Sequence, residues 1–160
     1  MENLNDYVIP AARQGNTEVV EALLKQGADI NTRDGQGYTA LIVACYHHHY
    51  ETAKFLLEAG ADANAQDNGG NTALMGASFK GYADLAELLI RHNADLNVQH
   101  GNGGTALMFA AMFGRNEIVR LLSHHGADTT LRDSRGLSAV DLAVQQGNTE
   151  ASEFLSASLR

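Results

Sequence analysis

Three consecutive histidines, His47, His48 and His49, are the residues of this chain that most invite chemistry. Imidazole is the commonest metal ligand among side chains, and a loop could gather two of the three. Successive side chains on a helix diverge by about 100°, however, and no cysteine or carboxylate stands near them at motif spacing to complete a tetrahedral zinc set. His92 and His125 recur one period apart, too far for one ion if they sit on neighbouring packed helices about 10 Å apart. His124 adjoins His125 on the same segment. Solvated polar residues are the better account. A metal-binding or enzymatic use of the His47–His49 turn is the alternative.

Nucleophilic chemistry is no better supplied. The single cysteine, Cys45, excludes an internal disulfide. It recurs by position with Ala12, Ser78, Ala111 and Val144, which reads as a column of small core residues. No serine lies in a G-x-S-x-G elbow. The glycine-rich stretch GNGG at 101–104 lacks the Lys-Ser/Thr that completes a phosphate loop. Acids such as Asp29 and Asp62 recur at one period, which points to structure in place of acid–base work. No catalytic residue, metal or cofactor is expected.

The elements that would carry these residues are set by a repeat. Leu23, Leu56, Leu89, Leu122 and Leu155 form one column of period 33; Ala11, Ala44, Ala77, Ala110 and Ala143 form another. Such a period marks a solenoid, in which a small unit stacks on copies of itself. The units are 1–33, 34–66, 67–99, 100–132 and 133–160. Units two to five open with a turn: DGQG (34–37), DNGG (67–70), HGNG (100–103) and DSRG (133–136). Thr39, Thr72, Thr105 and Ser138, with Asp6 in the first unit, then stand where a helix N-cap is needed. A first helix, about Ala40–Tyr46 in the second unit, ends near a column of Gly15, Gly81, Gly114 and Gly147. A second helix begins with an acid (Glu18, Glu51, Asp84, Glu117, Glu150), suited to the positive helix end. It carries the leucine column, with Phe55, Leu57 and Ile90 packed around it. It closes at Gly27, Gly60, Asn93 or Gly126, as left-handed C-caps do.

These motifs resemble the ankyrin repeat over essentially the whole chain. The resemblance rests on DGQGYTALIVAC (34–45), DNGGNTALMGAS (67–78), GNGGTALMFAAMFG (101–114), LLKQGADIN (23–31), LLEAGADAN (56–64) and LSHHGAD (122–128). It implies an all-α repeat solenoid, a stack of antiparallel helix pairs with β-hairpin fingers, used to bind other proteins. Departures are informative. The family's proline after the cap is Ala40, Ala73, Ala106 and Ala139. Its histidine is Ile42, Met75, Met108 and Asp141, so that histidine's hydrogen-bond network is not expected. His48 takes a glycine position and should adopt left-handed backbone, which His tolerates better than most. His100 replaces a finger-opening Asp. Pro10 falls inside the expected first helix, which should start late or be distorted. Ser152, Ser156 and Ser158 in the last helix suggest a polar cap and, with an atypical first unit, a complete five-repeat domain over 1–160.

Composition narrows the partners. A formal net charge of −8 argues against a non-specific phosphate-binding surface, and hence against nucleic acid. MENLNDYVIP carries no signal-peptide pattern, and no apolar run approaches the roughly 18 residues of a membrane span. A cytoplasmic, monomeric protein with another protein as partner is expected; a secreted effector acting on a host protein is a further alternative. The resemblance places the binding surface on finger tips and first helices. By register, the columns there that vary between units include Tyr38, Tyr46, His47, Asn71, Phe79, Lys80, Met112 and Phe113. These are the expected partner-binding residues, an apolar stripe with polar margins. Met75, Met108 and Phe109 lie nearer the leucine columns and read as core.

Overall fold

Ten helices in five antiparallel pairs make up the computed structural model, which describes residues 2–158; no strand occurs among the described residues. The pairs are α1 (Asn5–Arg13) with α2 (Thr17–Lys25), α3 (Ala40–Tyr46) with α4 (Tyr50–Glu58), α5 (Ala73–Lys80) with α6 (Ala83–Arg91), α7 (Ala106–Met112) with α8 (Asn116–His124), and α9 (Ala139–Gln145) with α10 (Thr149–Ser158). Terminal positions 1, 159 and 160 of the expected domain lie outside the described residues, as does the side chain of Ser158.

Local chemistry starts and stops these helices largely as the residue types require. Thr39, Thr72 and Thr105 each accept the amide hydrogen three residues on at 3.2 Å. Ser138 does so at 3.4 Å, and Asp141 returns the favour to the Ser138 amide, a reciprocal capping box. The family's histidine position is thus reused as a cap in the last unit, while Ile42, Met75 and Met108 are buried there in the others. His48 has φ +58° and Asn93 φ +66°, the left-handed turns expected of them.

The first unit departs from expectation. Asp6 is no cap: α1 begins at Asn5, and the Asn3 side chain accepts the Asn5 amide hydrogen at 3.0 Å. Nor does α1 start late, for it runs through Pro10. The donor that Pro10 lacks would have served the Asp6 carbonyl, and both residues are solvent-exposed, so water can serve that carbonyl instead.

The stack is held by columns. Leu56, Leu89, Leu122 and Leu155 are fully buried and Leu23 is 9% exposed. First helices pack on first helices, second on second, and the row of first helices is the tighter of the two. The alanine column explains this, since Ala44, Ala77, Ala110 and Ala143 are fully buried and let helix backbones approach closely. Cys45 is buried in that row. Desolvation, then the charge of Asp84, pushes its thiol up to about 12, so it is a packing residue. Val144, expected in the same small-residue column, is 63% exposed, because among the described residues no further helix stacks on that side of α9.

The fingers are tight turns joined edge to edge, where β-hairpins were expected. Asp34 N–H donates to the Tyr38 carbonyl and Gly37 N–H to the Asp34 carbonyl. One backbone bond links each finger to the next: Asn68 N–H to Gln36, Gly101 N–H to Gly69 and Ser134 N–H to Asn102, at 2.9–3.0 Å. The Ala-Asp-x-Asn motif forms a second ladder. Asn31, Asn64 and Asn97 each accept the amide hydrogen of the next unit's Asp (Asp62, Asp95, Asp128) at 2.7–2.9 Å. The recurring carboxylates are structural too: Asp29, Asp62, Asp95 and Asp128 each accept the amide hydrogen two residues on at 2.8–2.9 Å. His100 imitates the finger Asp only halfway. Its Nδ1 accepts the Gly104 amide hydrogen at 2.9 Å, whereas Asp34, Asp67 and Asp133 each also take the amide two residues on.

From Asp128 onward several carboxylates sit below their ordinary range. The Thr130 hydroxyl and amide lower Asp128, the Ser138 amide and hydroxyl lower Asp141, and Arg120 with Asn116 lower Glu150. At Asp133 burial pushes upward and is outweighed by the Leu137 and Arg135 amides and the Arg135 guanidinium. Depressed carboxylates contribute stability that is present above the unfolded value and lost as pH falls through the folded one. Below pH about 4, therefore, the last helix pair is expected to loosen first. Hydrogen-exchange protection mapped by peptide checks this; simultaneous loss in all five pairs would contradict it.

Candidate functional site

Three side chains at the turn between α3 and α4 show how the stack sorts neighbouring residues. His49 donates from Nε2 to the Arg13 carbonyl of the preceding unit at 2.8 Å, satisfying an orphan helix-end acceptor. Arg115 does the same to Phe79, and Asn148 to Ala111. His48 turns the other way. It reaches Asp84 of the next unit at 3.0 Å and stacks on Tyr82 with ring centroids 4.1 Å apart. His47 alone points to the finger side. The triple histidine thus divides into two inter-unit clamps and one surface residue. Among the described residues no three His, Cys, Asp or Glu come together in a way that could hold a metal ion.

On the finger side lies a groove of about 380 Å³ lined by residues of four units. Five of the expected binding residues line it: Tyr38, Tyr46, His47, Asn71 and Phe79. Lys80 lies beside it, with Nζ 4.7 Å from the Tyr46 ring centroid, a cation–π contact. Phe113 meets Phe79 edge to face at 4.7 Å and stays 43% exposed, as Tyr46 is 42% exposed. Met112 goes elsewhere: it lines a smaller groove of about 240 Å³ between the fourth and fifth units, with His100, Phe109 and Leu142.

The floor comes from residues that register alone assigned to the core or passed over. Met75 and Met108 are buried as expected, yet Met75 forms part of the groove floor. Phe109 is only half-buried and lines both grooves, with its ring edge-on to His100 at 5.2 Å. Gly76 is the telling residue. It occupies the column of Val43, Phe109 and Leu142, inside α5, where glycine is less favourable than alanine by about 0.5–1 kcal/mol. Neither conformation nor crowding demands it, because a Cβ there would meet only Tyr46 Cδ2, at 3.8 Å. Its missing side chain leaves room in the groove. The signal was present in the sequence as one small residue in a column of large ones.

The charges are unevenly placed. His47 and Lys80 stand at the helix-turn end and Asp67 at the finger end, while Arg13 of the first unit is paired with Asp34 at 3.8 Å. Asp67 is occupied by the Gly69 and Asn71 amides, and Asp34 by those of Gln36 and Tyr38 together with a 3.8 Å approach to Arg13. His47 is held below the usual imidazole range by desolvation, and then by the charges of His49, Arg13 and Lys80.

Known proteins match this chain in short stretches. It is 43% identical over 51 residues to "Probable E3 ubiquitin-protein ligase XBOS33" of Oryza sativa subsp. japonica and to "E3 ubiquitin-protein ligase XBAT33" of Arabidopsis thaliana, each match covering 32% of this chain and 10% of the relative. It is 54% identical over 39 residues to "Potassium channel AKT2/3" of Arabidopsis thaliana, covering 24% of this chain and 5% of the channel. The matched segments thus span a tenth or less of these relatives. Across the chain itself, the family model described as "Ankyrin repeats (3 copies)" matches residues 8–100 and again 74–159. With the stacked helix pairs and inter-finger ladder already seen, that coverage makes the chain a member of the ankyrin-repeat family.

Proposed function

We propose that this chain is a non-catalytic adaptor or regulator that binds a partner protein on its finger and first-helix face. Ankyrin repeats are protein-interaction modules. The observation that carries the reading here is the gathering of Tyr38, Tyr46, His47, Asn71 and Phe79, from two adjacent units, into one open groove. Exposed Tyr46 and Phe113 flank it, and aromatic side chains of this kind supply most of the energy at protein interfaces. The chain acts as one domain over 1–160, with units 1–33 and 133–160 capping the three between them. It is monomeric and cytoplasmic, and its charge of −8 disfavours nucleic acid. No helix among the described residues is long and apolar enough to cross a membrane.

Phe79→Glu and Phe113→Glu should each weaken partner capture by about tenfold or more. Capture from native lysate followed by cross-linking mass spectrometry reads this out, with circular dichroism confirming the fold. Cross-links should concentrate on fingers and first helices. Unchanged capture by both folded variants, or cross-links confined to second helices, would refute the site.

A further inference from the structure

The groove over Gly76 has a polarity that specifies its occupant more narrowly than "a protein". Its floor and walls are apolar (Val43, Met75, Phe79, Phe109), and its helix-turn end is cationic on a molecule of net charge −8. Lys80 has no carboxylate within salt-bridge distance among the described residues and sits over the Tyr46 ring. Arg13 is already paired: it lies 3.8 Å from Asp34 Oδ2, while Asp34 Oδ1 serves two turn amides. A lysine without an acidic partner at the margin of an apolar groove favours a ligand that brings its own carboxylate.

Resting on the interaction-module reading above, we propose that this groove receives a short acidic segment of the partner, in which one aromatic or large aliphatic side chain fills the space left by Gly76 and a neighbouring Asp or Glu pairs with Lys80. The apolar anchor supplies affinity through burial. The carboxylate supplies orientation, because the finger end carries Asp67 and repels a ligand docked in reverse. Gly76 is the specificity residue: it sacrifices helix propensity to leave the anchor its place.

The test uses a displayed library of random linear peptides selected on the immobilised full chain. Enriched peptides are then measured by fluorescence polarisation against wild type, Gly76→Leu, Lys80→Glu and Phe79→Glu. Enriched sequences should pair an aromatic residue or leucine with a nearby Asp or Glu. Gly76→Leu should weaken them by about tenfold or more through filling the groove. Lys80→Glu, a surface change that leaves the core intact, should weaken them similarly, and should spare versions in which the acid is replaced by its amide. Peptides without an acid, or peptides that bind Gly76→Leu or Lys80→Glu as they bind wild type, overturn the inference. If those same peptides are lost with Phe79→Glu, the broader interaction reading stands. If no enriched peptide responds to any of the three substitutions, both fail. Self-association of the free chain that Gly76→Leu abolishes would make a second copy the occupant and also overturn the proposal.

Discussion

Leu89→Ala is expected to remove about 2–5 kcal/mol of folding stability, the usual cost of a fully buried leucine truncated in a core that cannot collapse around it. Leu89 is fully buried in α6, at the middle of the stack, with α4 on one side and α8 on the other. In a linear array each unit is stabilised only by its neighbours. A cavity in the third unit therefore weakens two interfaces and the coupling between the two halves. The urea transition should move to lower concentration and broaden, or split in two. Leu23→Ala, at an end and already 9% exposed, should shift it less and leave it single. Equal effects at the two sites would show that the stack does not behave as a chain of nearest-neighbour interfaces.

Gly70→Ala is expected to cost about 2–3 kcal/mol, while the same substitution at Gly136 costs about 1–2 kcal/mol. Both glycines close a finger turn in left-handed backbone, with φ +87° and +82°, and an L-residue bears a penalty at either. Only Gly70 is crowded. A Cβ there would lie 2.9 Å from the Gly101 amide nitrogen and 3.0 Å from the His100 Cα, whereas at Gly136 nothing lies within 4 Å. The alanine must push the neighbouring finger away and stretch the Gly101 N–H bond to the Gly69 carbonyl, 2.9 Å long. Thermal melts of the two variants, compared side by side, decide the matter. Equal losses would mean that the finger contact contributes nothing beyond backbone conformation.

Much of the fold was legible because its determinants are local. Thr39, Thr72, Thr105 and Ser138 cap helices through their own hydroxyls, and Gly27, Gly60, Asn93 and Gly126 end them through their own φ. Where reading failed, the cause was a partner in another unit or the lack of one. Asp6 stands at a cap position but Asn3 starts the helix sooner. Val144 matches buried Cys45 by register, yet among the described residues no helix covers it. Met112 shares its column with Tyr46 and Phe79 but opens on the neighbouring groove.

The candidate site divides in the same way. Variation between units at the ends of the first helices marked Tyr46, His47, Phe79 and Phe113, since a column that the stack does not need to keep apolar or small is free to differ. It could not assign three adjacent histidines to three destinations, because that depends on which carbonyl or carboxylate of the next or previous unit stands opposite. Nor could it show that Gly76 opens a groove between Tyr46 and Phe109, residues 63 positions apart in sequence.

By itself the sequence determined the period, the register, the helix ends and the buried leucine spine. These follow from backbone conformation and from burial at one repeated position, both of which residue type governs directly. Only the tertiary structure decided which equivalent positions are crowded, clamped or left open. Those properties belong to pairs of side chains on different units, and the distance between such pairs is set by how helices stack.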